Sequence, residues 1–424
     1  MTTAIARLTA GRVHYAWVVL AIMFSATMAG VGVRAAPGVI IVPLQRAFGW
    51  DVSTISGAVS INIVLLGAVG PFLAGLADVI GLKRTILICM ALLMAGSGLS
   101  VFMTSPWHLF VTWGLLVGIG SGAGAVGIAT AVANRWFAER NGLAMGLLFA
   151  ANAAGQLVFL PFLALIASHF GWQGVSIAVT LAVAAMLPLV ALLLPESPAH
   201  IGVGPYGSVA SGAIPMREGN AFSVAIAGLR RASRSIDFWL LTLSFAICGL
   251  STNGLINTHL IAYCGDHGIP EVNSATMLAI IGGFSLIGSA ASGWLCDRFN
   301  PRLLLFWYYG LRGLSLALIP FSSFDVVSLS VFSVFYGLDW VATGPPTVAL
   351  TNQVFGRQDA PIIVAWIFAG HQVGGGIAAL GAGFVRSATG NYLLAFLISG
   401  LACLLASLLV LRIARLGPAI AAAE

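Results

Sequence analysis

Apolar runs of about 20 residues, separated by short charged or Gly/Pro-rich breaks, recur along the whole chain. They predict twelve helices, spans 1 to 12, at roughly 15–43, 53–76, 84–104, 107–133, 141–167, 173–194, 237–263, 273–296, 302–320, 326–351, 360–385 and 391–413. Each run is long enough to cross the hydrocarbon of a bilayer. One long polar stretch, 196–236, carries Pro198, Pro205, Arg217, Arg230, Arg231 and Arg234. It divides the chain into a six-helix bundle at 1–195, a central loop at 196–236 and a second six-helix bundle at 237–424. The first apolar run begins at Tyr15 and continues far past the core of a signal peptide, so it is expected to stay as span 1.

Composition narrows the class. Hydrophobic residues are 59% of 424 positions and charged residues only 8%, against roughly 25% charged in a soluble domain. So few charges cannot solvate a water-soluble body of this size, which excludes a cytosolic enzyme and a disordered chain. The class is therefore an all-α membrane protein. The net charge of +6 speaks through its placement rather than as a nucleic-acid signal. With the N-terminus inside, fifteen basic residues, among them Arg7, Arg12, Lys83, Arg84, Arg217 and Arg415, fall on the inner side, and only Arg46 and Arg386 on the outer. That asymmetry places both termini and the central loop in the cytoplasm.

Sliding the chain over itself by 219 residues exposes a repeat. Ala74–Asp78 falls on Gly293–Asp297, Gly118 on Gly337, Gly49 on Gly268, Gly155 on Gly374 and Gly171 on Gly390, without a gap. Two parallel six-helix repeats are the build of a carrier that rocks around a site near the bilayer midplane.

The loop between spans 2 and 3 reads Gly75-Leu-Ala-Asp78-Val-Ile-Gly81-Leu-Lys83-Arg84, with a degenerate copy at Asp297-Arg298-Phe299-Asn300-Pro301-Arg302. Glycines there permit a tight turn, and acid and base at a helix end can latch two elements. This loop resembles that of the major facilitator superfamily. The resemblance implies the major facilitator fold, twelve transmembrane helices in two six-helix pseudo-repeats, with Gly75, Asp78, Gly81, Lys83, Arg84, Asp297 and Arg298 as gating-loop residues. A finer resemblance lies in Pro37-Gly38-Val39, Pro43-Leu44, Phe48-Gly49-Trp50, Asn134-Arg135-Trp136-Phe137 and Arg140-Asn141-Gly142-Leu143-Ala144-Met145-Gly146. These segments resemble the monocarboxylate and oxalate/formate porters, which implies an organic-anion substrate. Span 8 lacks the arginine usual in that branch, and span 11 carries His371 where a lysine is expected.

Charges inside the spans are costly in lipid and point to function. Only Arg34, Arg312 and Asp339 lie deep within apolar runs. Arg312 and Asp339 fall at similar depth on spans 9 and 10, which predicts an ion pair, either a structural clamp or a proton-coupling site. Arg34 on span 1 is then the unpaired cation. Asn152, Gln156, Asn253, Asn257, Trp340, His371 and Gln372 lie at comparable depth and predict a wet cavity, with His371 a second candidate for the proton. Gly344-Pro345-Pro346 must interrupt span 10.

Other patterns carry no chemistry. The run Gly114 to Gly124 sits inside an apolar helix with no preceding strand and reads as close helix packing rather than a dinucleotide loop. His259, Cys264, Asp266 and His267 match no metal-ligand spacing, and five scattered cysteines form neither a disulfide framework nor a zinc site. No cofactor, metal, nucleic acid or catalytic constellation is expected.

The expectation is a monomeric secondary transporter of the bacterial inner membrane, not an enzyme. It moves a small organic anion with a proton by alternating access. An importer of a neutral or aromatic nutrient, such as a flavin-like vitamin, and an exporter of hydrophobic compounds are the alternatives.

Overall fold

The computed structural model describes residues 13–50, 52–208 and 219–413. Arg7, Arg12, Arg217 and Arg415, counted in the charge asymmetry, lie outside the described residues. Nine stretches among the described residues are long and apolar enough to cross a membrane. Two of them, Asn141–Leu193 and Val326–Thr389, each hold two predicted spans. The first is broken at Gly171 (φ 64°, ψ −163°) and the second at Gly356 (φ 79°, ψ 156°). A tenth, made of Pro106–Gly120 followed by Val126–Trp136, covers span 4. The arrangement is consistent with twelve spans. Among the described residues the only β feature is one isolated bridge, Phe137 to Tyr206. A chain that must bond every backbone amide within lipid has little other choice.

Two departures from plain α-helix matter below. Span 4 passes through a π-helical turn at Phe110–Leu116, and span 7 through another at Leu250–Ile256, between the α-helices Ile236–Gly249 and Asn257–Asp266. Span 10 stops at Trp340 and resumes at Gly344. Pro345 and Pro346 have no N–H to offer the carbonyls one turn before them. Those carbonyls find other donors: Gly344 N bonds Val341 O at 2.9 Å, and Ser292 Oγ of span 8 bonds Ala342 O at 2.6 Å.

The chain forms two compact units. The first comprises Met1–Asn141 with Ala151–Ala227, the second Gly142–Ala150 with Gly228–Glu424. Residues 142–150 join the second because Asp297 accepts hydrogen bonds from the amides of Gly142 (2.7 Å) and Leu143 (2.9 Å), capping span 5. Gly142 and Gly146 also lie so close to span 8 that a Cβ on either would sit 2.5 Å from the carbonyl of Gly293 or Ser289.

The 219-residue offset holds in packing as well as in sequence. Beside Gly118 of span 4 lie Asn62 and Leu65 of span 2; beside Gly337 of span 10 lie Ile281 and Phe284 of span 8, the residues 219 further on. Gly49 and Gly268 adopt φ 70° and 76°, and Gly171 and Gly390 φ 64° and 78°. Each pair ends or breaks a helix at a positive φ. The core of the second unit gathers Tyr263, Tyr336, Phe332 and Phe396 in one cluster and Phe238, Phe245, Tyr309 and Ile367 in another.

Candidate functional site

Each unit holds one intramembrane arginine, in opposite circumstances. Arg34, on the helix Tyr15–Phe48, is partly buried and donates from Nη2 to Asn152 Oδ1 of span 5 at 2.8 Å. Spans 1 and 5 approach closely at Gly155, where a Cβ would lie 2.7 Å from Val31 Cβ, so Asn152 is within reach. A neutral amide oxygen satisfies one of five guanidinium donors. Arg34 forms no ion pair with any described residue. Gln156, one turn beyond Asn152, is exposed.

Arg312 is wholly enclosed, and each nitrogen of its guanidinium donates a hydrogen bond. Nε donates to Asp339 Oδ2 at 2.5 Å, Nη2 to the carbonyls of Asp339 (2.6 Å) and Trp340 (3.3 Å), and Nη1 to Cys248 Sγ at 2.9 Å. The rings of Tyr309 and Tyr336 flank it at 5.8 and 6.0 Å. Two of those acceptors are carbonyls at the end of the first half of span 10, beside the interruption. The helix break and the arginine therefore satisfy each other. Asp339 Oδ1 is buried with no hydrogen-bond partner among the described residues.

Cys248 extends this cluster. Its Sγ lies 3.2 Å from Thr343 Oγ1, and His371 packs against the following residue, where a Cβ on Gly249 would sit 3.1 Å from the imidazole Cγ. His371 is buried, stacks on Phe368 (5.5 Å between centroids, 9° between planes) and faces Gln372 Oε1 through Nδ1 at 3.1 Å. The geometry thus runs from Asp339 through Arg312 and Cys248 to His371, over spans 10, 9, 7 and 11. Cys248 reads in sequence as a small apolar residue, and no spacing rule reveals its partners.

The remaining polar candidates divide. Asn253 and Asn257 are exposed on span 7, one turn apart. Trp340 is partly buried, edge-on to Tyr336 at 5.6 Å. Asn62 is a packing contact, its Nδ2 donating to Trp113 O at 2.8 Å.

The two loop copies also differ. Asp78 is buried, with Oδ1 3.6 Å from Arg135 Nη2. Arg135 Nη1 in turn donates to Glu196 Oε1 at 2.7 Å. Glu196 also takes the amides of Leu82 (2.5 Å) and Lys83 (2.9 Å), the first turn of span 3. A Cβ at Gly81, where φ is 102°, would meet the Glu196 carboxylate at 2.8 Å, so this loop position needs glycine twice over. The side chain of Arg84 is exposed, and that of Lys83 partly so. In the second copy Asp297 caps span 5, while Arg298 lies over Trp294 at 3.9 Å. Glu196 is absent from the sequence expectation because it lies 114 residues from the amides it holds.

Three of the four residues weighed as metal ligands have other duties. His259 bonds Tyr392 Oη (3.1 Å) and Ala379 O (2.9 Å), and His267 stacks on Phe324 at 3.7 Å. Asp266 takes two hydrogen bonds from Arg386, at 2.6 and 3.0 Å. Among the described residues no cluster has the makings of a metal site.

Comparison with known proteins agrees with this architecture. Monocarboxylate transporter 13 of Rattus norvegicus is 28% identical over 390 residues, covering 91% of this chain and 86% of its own. An uncharacterized transporter of the same superfamily from Bacillus subtilis, YcxA, is 28% identical over 359 residues, with 83% and 84% covered. Among solved structures, the E. coli fucose:proton symporter superposes with a TM-score of 0.71 at 18% identity, covering 94% of this chain and 98% of its own. The sequence model described as Major Facilitator Superfamily matches residues 20–379. This chain belongs to the major facilitator superfamily, a family of membrane transporters and not of enzymes.

Proposed function

We propose that the chain carries an organic carboxylate anion together with a proton across the cytoplasmic membrane, with both termini and the central loop inside. The observation behind the anion is Arg34: a partly buried guanidinium whose single described hydrogen bond goes to a neutral amide. Arginine stays charged at membrane depth and offers a planar fork matched to a carboxylate. Asn152 orients that fork, and Gln156 stands one turn away. The likeness to monocarboxylate transporters supports the same substrate class.

For the proton, the reading rests on the cluster of the second unit. Asp339 has one oxygen on Arg312 and one without a partner among the described residues, and His371 packs beside Cys248, which accepts from the same guanidinium. A proton taken at either end changes how tightly Arg312 is held. Asn253, Asn257, Trp340 and Gln372 are the second unit's candidate substrate contacts.

The test is counterflow and gradient-driven uptake in proteoliposomes with a panel of mono- and dicarboxylates, aromatic acids and flavins. Accumulation of a carboxylate driven by an inward proton gradient, lost in Arg34→Gln, is the expected result. Uptake blocked by neutral flavins and untouched by carboxylates overturns the anion in favour of an aromatic nutrient.

A further inference from the structure

Within the polar stretch 196–236 lies a helix, Ala221–Ala232, that the reading above leaves without a role. Its two faces differ. Val224, Ala225, Gly228 and Ala232 are buried, while Phe222 (63% exposed), Ile226 (37%), Arg230 and Arg231 point outward, followed by exposed Arg234. Arg231 pairs with Asp359 at 3.2 Å. Arg230 and Arg234 make no ion pair with any described residue.

Contacts at each end set the level of that end within its own unit. In the first unit its opening turn packs on span 2: Ala221 O lies where a Cβ of Gly75 would be, at 2.7 Å, and Phe222 stacks on Phe72 (5.3 Å, 8°). Phe72 precedes the loop residue Asp78 by six positions, about 9 Å along a helix axis. In the second unit its last turn lies against span 11, where a Cβ on Gly228 would sit 2.9 Å from Ile362. Just beyond, Trp239 is 53% exposed at the start of span 7, and its indole N–H bonds Ser233 O at 2.8 Å. The exposed apolar end of the helix is thus level with hydrocarbon. Its basic end is level with a tryptophan of the kind that marks the headgroup zone.

We infer that the outward face of Ala221–Ala232 docks on anionic phospholipid headgroups, with Phe222 and Ile226 in the acyl boundary and Arg230 and Arg234 on the phosphates. Amphipathic helices that lie in the interface bury their apolar face about 5–10 Å deep, which agrees with the level of Phe72. Two guanidiniums with no ion pair among the described residues, at the headgroup level, favour a surface of net negative charge over a zwitterionic one, whose phosphates are offset by choline. The inference rests on the chain spanning a membrane. It does not depend on which side is cytoplasmic, because the test uses vesicles with the same lipid in both leaflets.

The whole transporter is reconstituted in phosphatidylcholine vesicles containing phosphatidylglycerol, and co-purifying lipid is counted by native mass spectrometry. Wild type is expected to retain phosphatidylglycerol over phosphatidylcholine. Arg230→Gln with Arg234→Gln should lower that preference about tenfold or more, whereas Arg230→Lys with Arg234→Lys should keep most of it. A spin label on Ile226→Cys, read against the labelled parent protein, should be reached by oxygen and shielded from a water-soluble nickel relaxant. Equal lipid preference in wild type and the glutamine variant overturns the inference. So does a label open to the nickel reagent, which leaves the helix in water. A label shielded from both reagents means that protein, such as a second copy of this chain, covers the face, and overturns it as well. Melting temperatures of all variants equal to wild type show that the comparison is between folded proteins.

Discussion

Arg34 and Arg312 are the same residue type at membrane depth, yet they solve the cost of a buried charge in opposite ways. Arg312 has a carboxylate, two carbonyls, a thiol and two flanking tyrosine rings; its donors are spent inside the protein. Arg34 has one amide oxygen and stays partly open. A saturated guanidinium holds helices together. An unsaturated one is worth its desolvation only if something else arrives to complete it.

That contrast can be broken by substitution. The largest effect is expected at Asp339→Leu, which strands Arg312 in low dielectric and should destabilise the protein by about 3–5 kcal/mol, read as a drop in detergent melting temperature. Combined Arg312→Leu and Asp339→Leu should recover most of that stability; if proton-driven accumulation is still missing while exchange persists, the pair couples as well as clamps. Next, Arg34→Gln should lower carboxylate uptake about 100-fold, the equivalent of ~3 kcal/mol of charged hydrogen bonding, with the melting temperature unchanged. A variant that melts early but transports would make Arg34 the structural residue and erase the contrast.

Smaller changes sharpen the picture. Glu196→Gln removes the charge that Arg135 and the first amides of span 3 share, and should cost about 2 kcal/mol, measured by the same melting experiment. An unchanged melting temperature would mean that Arg135 finds Asp78 sufficient. Cys248→Ala takes one of the guanidinium's acceptors and should cost about 1 kcal/mol, while Cys248→Ser restores an acceptor and most of the stability. If the alanine variant also shifts the pH dependence of uptake and the serine variant does not, His371 acts through this thiol.

Much of the fold is legible in the sequence because lipid enforces it: long apolar runs leave the backbone few alternatives. The repeat was legible for a related reason. Glycines such as Gly118 and Gly337 sit where helices touch, so the 219-residue offset is written in the residues least free to vary in shape. The pairing of Arg312 with Asp339 followed from the expense of two charges at one depth. Long-range capping was not legible. Glu196 serves amides more than a hundred positions away, and nothing in its own neighbourhood says so. Ala221–Ala232 escapes for another reason: its apolar run, residues 221–229, is too short to cross a bilayer and sits within a stretch otherwise rich in Pro, Gly and Arg.

The π-helical turn at Leu250–Ile256 adds a matter of rotational phase. Each residue of an α-helix turns the chain by about 100°, and a π turn absorbs one extra residue between flanking α-helices. Tightened to a plain α-helix, the same seven residues would swing Asn257 and all that follows about 100° away from the face they now occupy, relative to Ile236–Gly249. A one-residue deletion inside 250–256 should therefore be tolerated, whereas the same deletion inside 236–249 rotates Phe238, Leu241 and Phe245 out of step with everything after them. The azimuth of span 7 is held by a single looped-out residue, and a helix built that way can rotate its far end without coming apart.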